Sequence, residues 1–148
     1  MSAYKTIECD IKDKDTLIEA LKLLGFTPII SETPINLTGY RGDSRDEKAE
    51  IIIPKDQINF FTGASNDIGF LWNDSESKYN FICSEYDKKL KMDNRIIQAY
   101  TKVAIEKALA KNGFKIKVNI EDEEFRKRTL SDLNFVARKI IWCLKKLN

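Results

Sequence analysis

The sequence predicts an α+β fold, a mostly antiparallel sheet with two main helices on one face. Three observations lead there. Short runs of alternating apolar and polar residues recur along the chain, as half-buried strands require. Two amphipathic stretches of helical period interrupt them, each stopping at a glycine followed by phenylalanine. Between two of the strand-like runs, Asn73-Asp74-Ser75-Glu76-Ser77 supplies the polar turn of a hairpin.

The elements follow in order. Ile7, Cys9 and Ile11 alternate with Glu8 and Asp10, predicting a first strand. Asp13 can then cap a helix carrying Leu17, Ala20, Leu21 and Leu24 on one face, ended by Gly25 and confirmed by Pro28. An extended piece runs near residues 27–32. Residues 32–47, holding Pro34 and Gly39-Tyr40-Arg41-Gly42, read as a loop or an irregular hairpin. Residues 49–53 form a strand closed by Pro54, and residues 68–72 and 79–83 form two more. Phe60 and Phe61 are adjacent, so in a strand they face opposite ways.

A long helix is predicted from Asp93 to Gly113. Its inner stripe is Ile96, Tyr100, Val103 and Ala104, supported by Ile97 and Ala108. Phe114, Ile116, Val118 and Ile120 then alternate with polar residues as a strand with one wet face. Residues 130–147 leave two readings open: a helix on the spacing of Leu130, Leu133, Val136, Ile140, Leu144 and Leu147, or a last strand around 135–142.

One echo bears on architecture. Residues 18–21 lead to Gly25-Phe26, and residues 105–109 lead to Gly113-Phe114. Two such units around a middle hairpin suggest a ferredoxin-like sandwich with an inserted hairpin.

Composition limits the function. At 148 residues, 43% of them hydrophobic, the chain suits a single packed domain spanning 1–148. Its 25 basic and 23 acidic residues nearly cancel, so no global charge draws it to nucleic acid or anionic membrane. No apolar run approaches the ~20 residues of a membrane span. The opening Met1-Ser2-Ala3-Tyr4 has no signal-peptide character, which predicts a cytoplasmic protein, or a stromal one in a plastid. Histidine is absent, which removes Ser-His and Cys-His nucleophile pairs and imidazole metal ligands. Cys9, Cys83 and Cys143 lack zinc-site spacing, and the first two read as buried, reduced thiols. No metal or cofactor is expected.

The candidate binding residues are Tyr40, Arg41, Asp67, Trp72 and Asn73. They sit in Gly39-Tyr40-Arg41-Gly42 and in Asp67-Ile68-Gly69-Phe70-Leu71-Trp72-Asn73. Gly39 and Gly42 are expected to supply positive φ in a tight loop, and Gly69 to admit a bulge or a close neighbour. Arg41 could offer its guanidinium fork to a carboxylate or phosphate; the plain alternative is an ion pair with Asp67 or Asp43. Phe70 and Trp72 read as core. Lys88-Lys89-Leu90-Lys91 and Arg126-Lys127-Arg128 are short, have acidic residues nearby, and read as solvated surface.

These pieces resemble a family. Met1-Ser2 with Thr6-Ile7, Ile11-Lys12-Asp13, Ala20-Leu21 through Leu24-Gly25-Phe26, Gly39–Gly42, Ala49–Ile53, Asp67–Asn73 and Ala99-Tyr100 through Gly113-Phe114 occur in its order. It is the chloroplast reading frame thirty-five family of plastids and cyanobacteria. The resemblance departs at Ala3, where relatives carry histidine. It departs again in the charged tail, so 121–148 is a variable C-terminal extension. The family has no established activity. Its genes often neighbour one for an AAA-type ATPase, which the resemblance implies as a partner. Three functions are carried forward. The favoured one is a non-catalytic adaptor that binds a protein. The others are a nucleic-acid module on an open sheet face and a small enzyme acting on an anionic substrate through Arg41.

Overall fold

The computed structural model describes residues 3–62 and 65–111. The strand expected at 114–120, the alternatives at 130–147 and Cys143 lie outside those residues, as do the side chains of Phe60 and Phe61.

The chain runs β1 (Tyr4–Ile7), α1 (Lys14–Leu23), β2 (Ile29–Thr38), β3 (Ser44–Ile53), α2 (Lys55–Thr62), β4 (Ile68–Asn73), β5 (Lys78–Ser84), α3 (Glu85–Lys89) and α4 (Met92–Lys111). Among the described residues the strands form one five-stranded sheet in the order β1-β5-β4-β3-β2, antiparallel at every step. The fold is α+β. Strands β2 to β5 are a meander, and β1 lies on the far edge. The ferredoxin-like arrangement expected from the sequence includes the strand at 114–120, which lies outside the described residues.

Helix α1 forms where the sequence places it. Asp13 is its N-cap and accepts from Thr16 N, while Leu17, Ala20 and Leu21 are fully buried. At the other end Gly25 takes φ +90, and the Gly25 and Phe26 amides donate back to Lys22 and Leu21. That is the paired-bond stop which glycine permits. Helix α4 packs against α1. The Tyr100 hydroxyl accepts from Lys12 N and Asp13 N, 3.1 Å each, and fixes the start of α1 on α4. The two helices cover one sheet face, where Ile51, Ile53, Ile68, Phe70, Phe81 and Cys83 are buried. Phe70 and Phe81 are cross-strand partners whose rings meet edge to face at 4.9 Å.

Three expectations are corrected, and one open pair of readings, at 32–47, is decided. Strand β1 ends at Ile7, so Cys9 and Ile11 follow it; Ile11 is still fully buried, and its carbonyl accepts from Tyr79 N. The stretch 32–47 is an irregular hairpin, with register shifts between Ile30 and Ile35 and between Asn36 and Thr38. Phe60 and Phe61 lie in a helix, α2, rather than a strand. On α4, Ala99, Ile105 and Leu109 are buried, whereas Ala108 is exposed and Ile97 half-buried.

The second sheet face carries its own small core of Leu37, Ala49, Ile52 and Ile82, flanked by Tyr4 and Leu71. The β2–β3 hairpin curls back over that face. Leu37 of β2 lies against Gly69 of β4, two strands away in the sheet order. No helix of the described residues is long and apolar enough to cross a membrane.

Candidate functional site

The two marked stretches meet, and the meeting point is a clasp. Thr38, the last residue of β2, donates its amide to Asp67 Oδ2 at 2.8 Å, and Asp67 N donates to Thr38 O at 3.0 Å. Asp67 Oδ1 accepts from Lys55 N at 2.7 Å. Lys55 opens α2, so this carboxylate also satisfies an orphan N–H at a helix N-terminus. The Asp67 carbonyl accepts from the Tyr4 hydroxyl at 2.7 Å, and the Arg45 guanidinium lies over the Tyr4 ring at 5.1 Å. One buried residue thus ties together both edge strands, β1 and β2, with the starts of α2 and β4. Burial, then the nearby Asp67 charge, pushes the Tyr4 phenol well above its ordinary range, so it stays a hydrogen-bond donor.

The glycines of the two stretches serve this clasp for different reasons. Gly42 takes φ +83, as a tight hairpin end requires, and its amide donates to Gly39 O. Gly39 does not need positive φ, which corrects the expectation. A Cβ there would sit 2.6 Å from the Asp43 carboxylate. At Gly69 a Cβ would sit 2.6 Å from that of Ala49 and 3.0 Å from Leu37, so the expected close neighbour is the curled hairpin itself.

The five candidate residues do not share one cleft. Tyr40 and Arg41 form the exposed turn, held to the clasp by Tyr40 N donating to Asn66 Oδ1 at 2.7 Å. Asp67 lies beside that contact and is buried. Trp72 and Asn73 lie at the other end of β4, about 17 Å along the strand from Asp67. The half-buried Trp72 packs edge-on to Tyr79 at 5.0 Å, and its indole N–H donates to Asp74 Oδ1 at 2.8 Å. Asn73 Oδ1 accepts from the Ser75 amide at 3.1 Å and its hydroxyl at 2.7 Å, the side-chain turn that shapes the β4–β5 hairpin. Neither expected partner holds Arg41. Asp43 faces Arg45 at 3.6 Å, and both Asp67 oxygens are taken by backbone N–H groups.

Sequence reasoning missed Tyr4, Leu37, Thr38, Arg45, Lys55 and Asn66 as members of the clasp. They come from distant parts of the chain, and only the glycine inside β4 signalled that something packs there. Among the described residues no group of three or more acidic or Cys side chains is placed to hold a metal. Burial raises the thiols of Cys9 and Cys83 above their ordinary range, with Asp87 and Asp93 adding to the effect at Cys83. Both are poor nucleophiles at neutral pH.

A family model described as "Protein of unknown function (DUF1257)" matches residues 20–129. The chain belongs to this family. The match runs from within α1 through α4 and so contains the hairpin, the turn and Asp67. No curated protein and no solved structure matches the chain.

Proposed function

We propose that this DUF1257 domain is a non-catalytic adaptor that binds another protein along the β2–β3 hairpin. One observation carries the reading. Among the described residues, four of the six large apolar side chains left exposed belong to β2 and its turn: Ile29 at 47%, Ile30 at 48%, Ile35 at 39% and Tyr40 at 52%. Strand β2 is also an outer edge of the described sheet, and among the described residues no strand pairs with its other side along 29–36. Edge strands normally carry charge that repels pairing; this one has a single charged residue, Glu32. Pro34 and the register shift limit how far any added strand can run, so the isoleucine side chains supply the contact rather than a long ladder.

The clasp supports the same reading, because a partner gains most from a surface that is already ordered. It anchors the hairpin and presents Tyr40 and Arg41, residue types enriched among interface anchors. The likeness to the chloroplast reading frame thirty-five family supplies the candidate partner, an AAA-type ATPase of the cytoplasm or plastid stroma. The other two readings draw less support. Phe70, one aromatic a nucleic-acid platform would use, is fully buried, and both Asp67 oxygens are already engaged by backbone N–H groups of the fold.

The test mixes the purified chain with that ATPase on a sizing column. A stoichiometric complex, weakened at least tenfold by Ile30→Glu with Ile35→Glu in a variant of unchanged circular dichroism, is the expected result. No association, or a complex indifferent to those substitutions, overturns the reading.

A further inference from the structure

A second surface emerges at the corner between α3 and α4. In the sequence, Lys88-Lys89-Leu90-Lys91 is offset by Glu85, Asp87 and Asp93, which makes the stretch look neutral. Folding removes that balance. Asp87 is fully buried, its Oδ2 accepting from the Ser84 hydroxyl at 2.8 Å and from Asn66 N at 3.3 Å. Asp93 is buried at the start of α4. Glu85 is held by Lys5 at 2.8 Å, with Lys89 a weaker neighbour. What the corner shows to solvent is Lys88, Lys89, Lys91 and Arg95, around a Leu90 side chain that is 42% exposed. Among the described residues Lys88, Lys89 and Lys91 make no ion pair.

The corner turns on one left-handed residue. Lys91 has φ +61, a left-handed conformation that costs a side-chain-bearing residue free energy. Its amide donates to Lys88 O, and its carbonyl accepts from Arg95 N. The turn therefore holds Leu90 and its flanking lysines outward together. The whole chain carries only +2, so this is a local concentration of charge.

We propose that the α3–α4 corner docks an acidic, amphipathic segment of a partner protein. Its carboxylates meet Lys88, Lys89 and Lys91, and an apolar side chain covers Leu90. Charge complementarity selects an anionic occupant. Leu90, at the centre of the cations, selects among anionic occupants. A phosphate backbone has nothing apolar to set against it. One leucine is also too little apolar surface to hold a bilayer, where even a whole acyl chain gives marginal binding. The corner lies beside β1, at the opposite edge of the sheet order from β2, so this inference does not rest on the hairpin reading.

The experiment titrates the full chain with a synthetic peptide of alternating Glu and Leu blocks, with poly-L-glutamate, with duplex DNA and with vesicles of phosphatidylcholine and phosphatidylserine. The Glu/Leu peptide is expected to bind most tightly, and to weaken as salt rises. Lys89→Ala with Lys91→Gly should weaken it about tenfold while leaving the fold intact, because glycine accepts the left-handed turn. Leu90→Ser should weaken it several-fold without changing the salt dependence. Ile30→Glu with Ile35→Glu should leave it unchanged, which separates this surface from the hairpin. Tighter binding of DNA or vesicles than of the peptide, or a peptide affinity indifferent to the corner variants, overturns the proposal.

Discussion

Single residues decide how the second sheet face closes. Gly69→Ala would place a methyl 2.6 Å from the Ala49 Cβ, between two elements that are both backbone-anchored. Overpacking of this kind costs about 1–3 kcal/mol, and the measurement is a denaturant melt of the variant beside the parent. Leu37→Ala empties the same contact from the other side and should cost about 2–5 kcal/mol. Cys83 adds a pH dependence whose sign follows from its burial. Its folded-state value is raised, so the folded chain keeps the thiol proton after the unfolded chain has lost it. The stability tied to that proton is fully present below roughly pH 8.5, the ordinary thiol value, and declines as pH rises beyond it. A Cys83→Ala variant should therefore lose less stability than the parent between neutral and alkaline pH.

At the scale of elements, caps set the boundaries. Asp13→Ala removes the acceptor at the start of α1 and should cost about 1 kcal/mol, read as a lower melting temperature. Helix α1 was fully legible because cap, apolar stripe and glycine stop all lie within a dozen residues of one another. Helices α2 and α3 were not. Pro54 closes a strand, yet proline followed by Lys55-Asp56 also opens a helix. Ser84 and Asp87 form a capping pair, with Asp87 N donating to the Ser84 hydroxyl at 3.2 Å, but α3 is a single short turn that carries no periodic signal. The hairpin at 32–47 was half legible: its glycines marked the turn, while the exposed residues of β2 lack the alternation that a half-buried strand shows.

For the whole molecule, legibility fell with the distance a contact spans along the chain. The α+β class and the antiparallel sheet followed from local patterns. The clasp did not, because its members are Tyr4, Thr38, Lys55 and Asp67, and their shared purpose appears only when the hairpin curls over the sheet. The marked residues therefore divide among three tasks, one of which is the β4–β5 hairpin end that Trp72 and Asn73 shape. Asp67, Gly39, Gly42 and Gly69 hold the hairpin in place, and Tyr40 and Arg41 are what it presents. Amide hydrogen exchange on an Asp67→Asn variant tests that division most directly. An asparagine oxygen can replace only part of what the two carboxylate oxygens do, at a cost of about 2–4 kcal/mol to the clasp. The Thr38, Tyr40 and Lys55 amides should lose protection together, while those of α1 and of the β4–β5 pairing keep theirs. Unchanged protection at Thr38 and Lys55 would contradict the clasp and the presentation of the turn that depends on it.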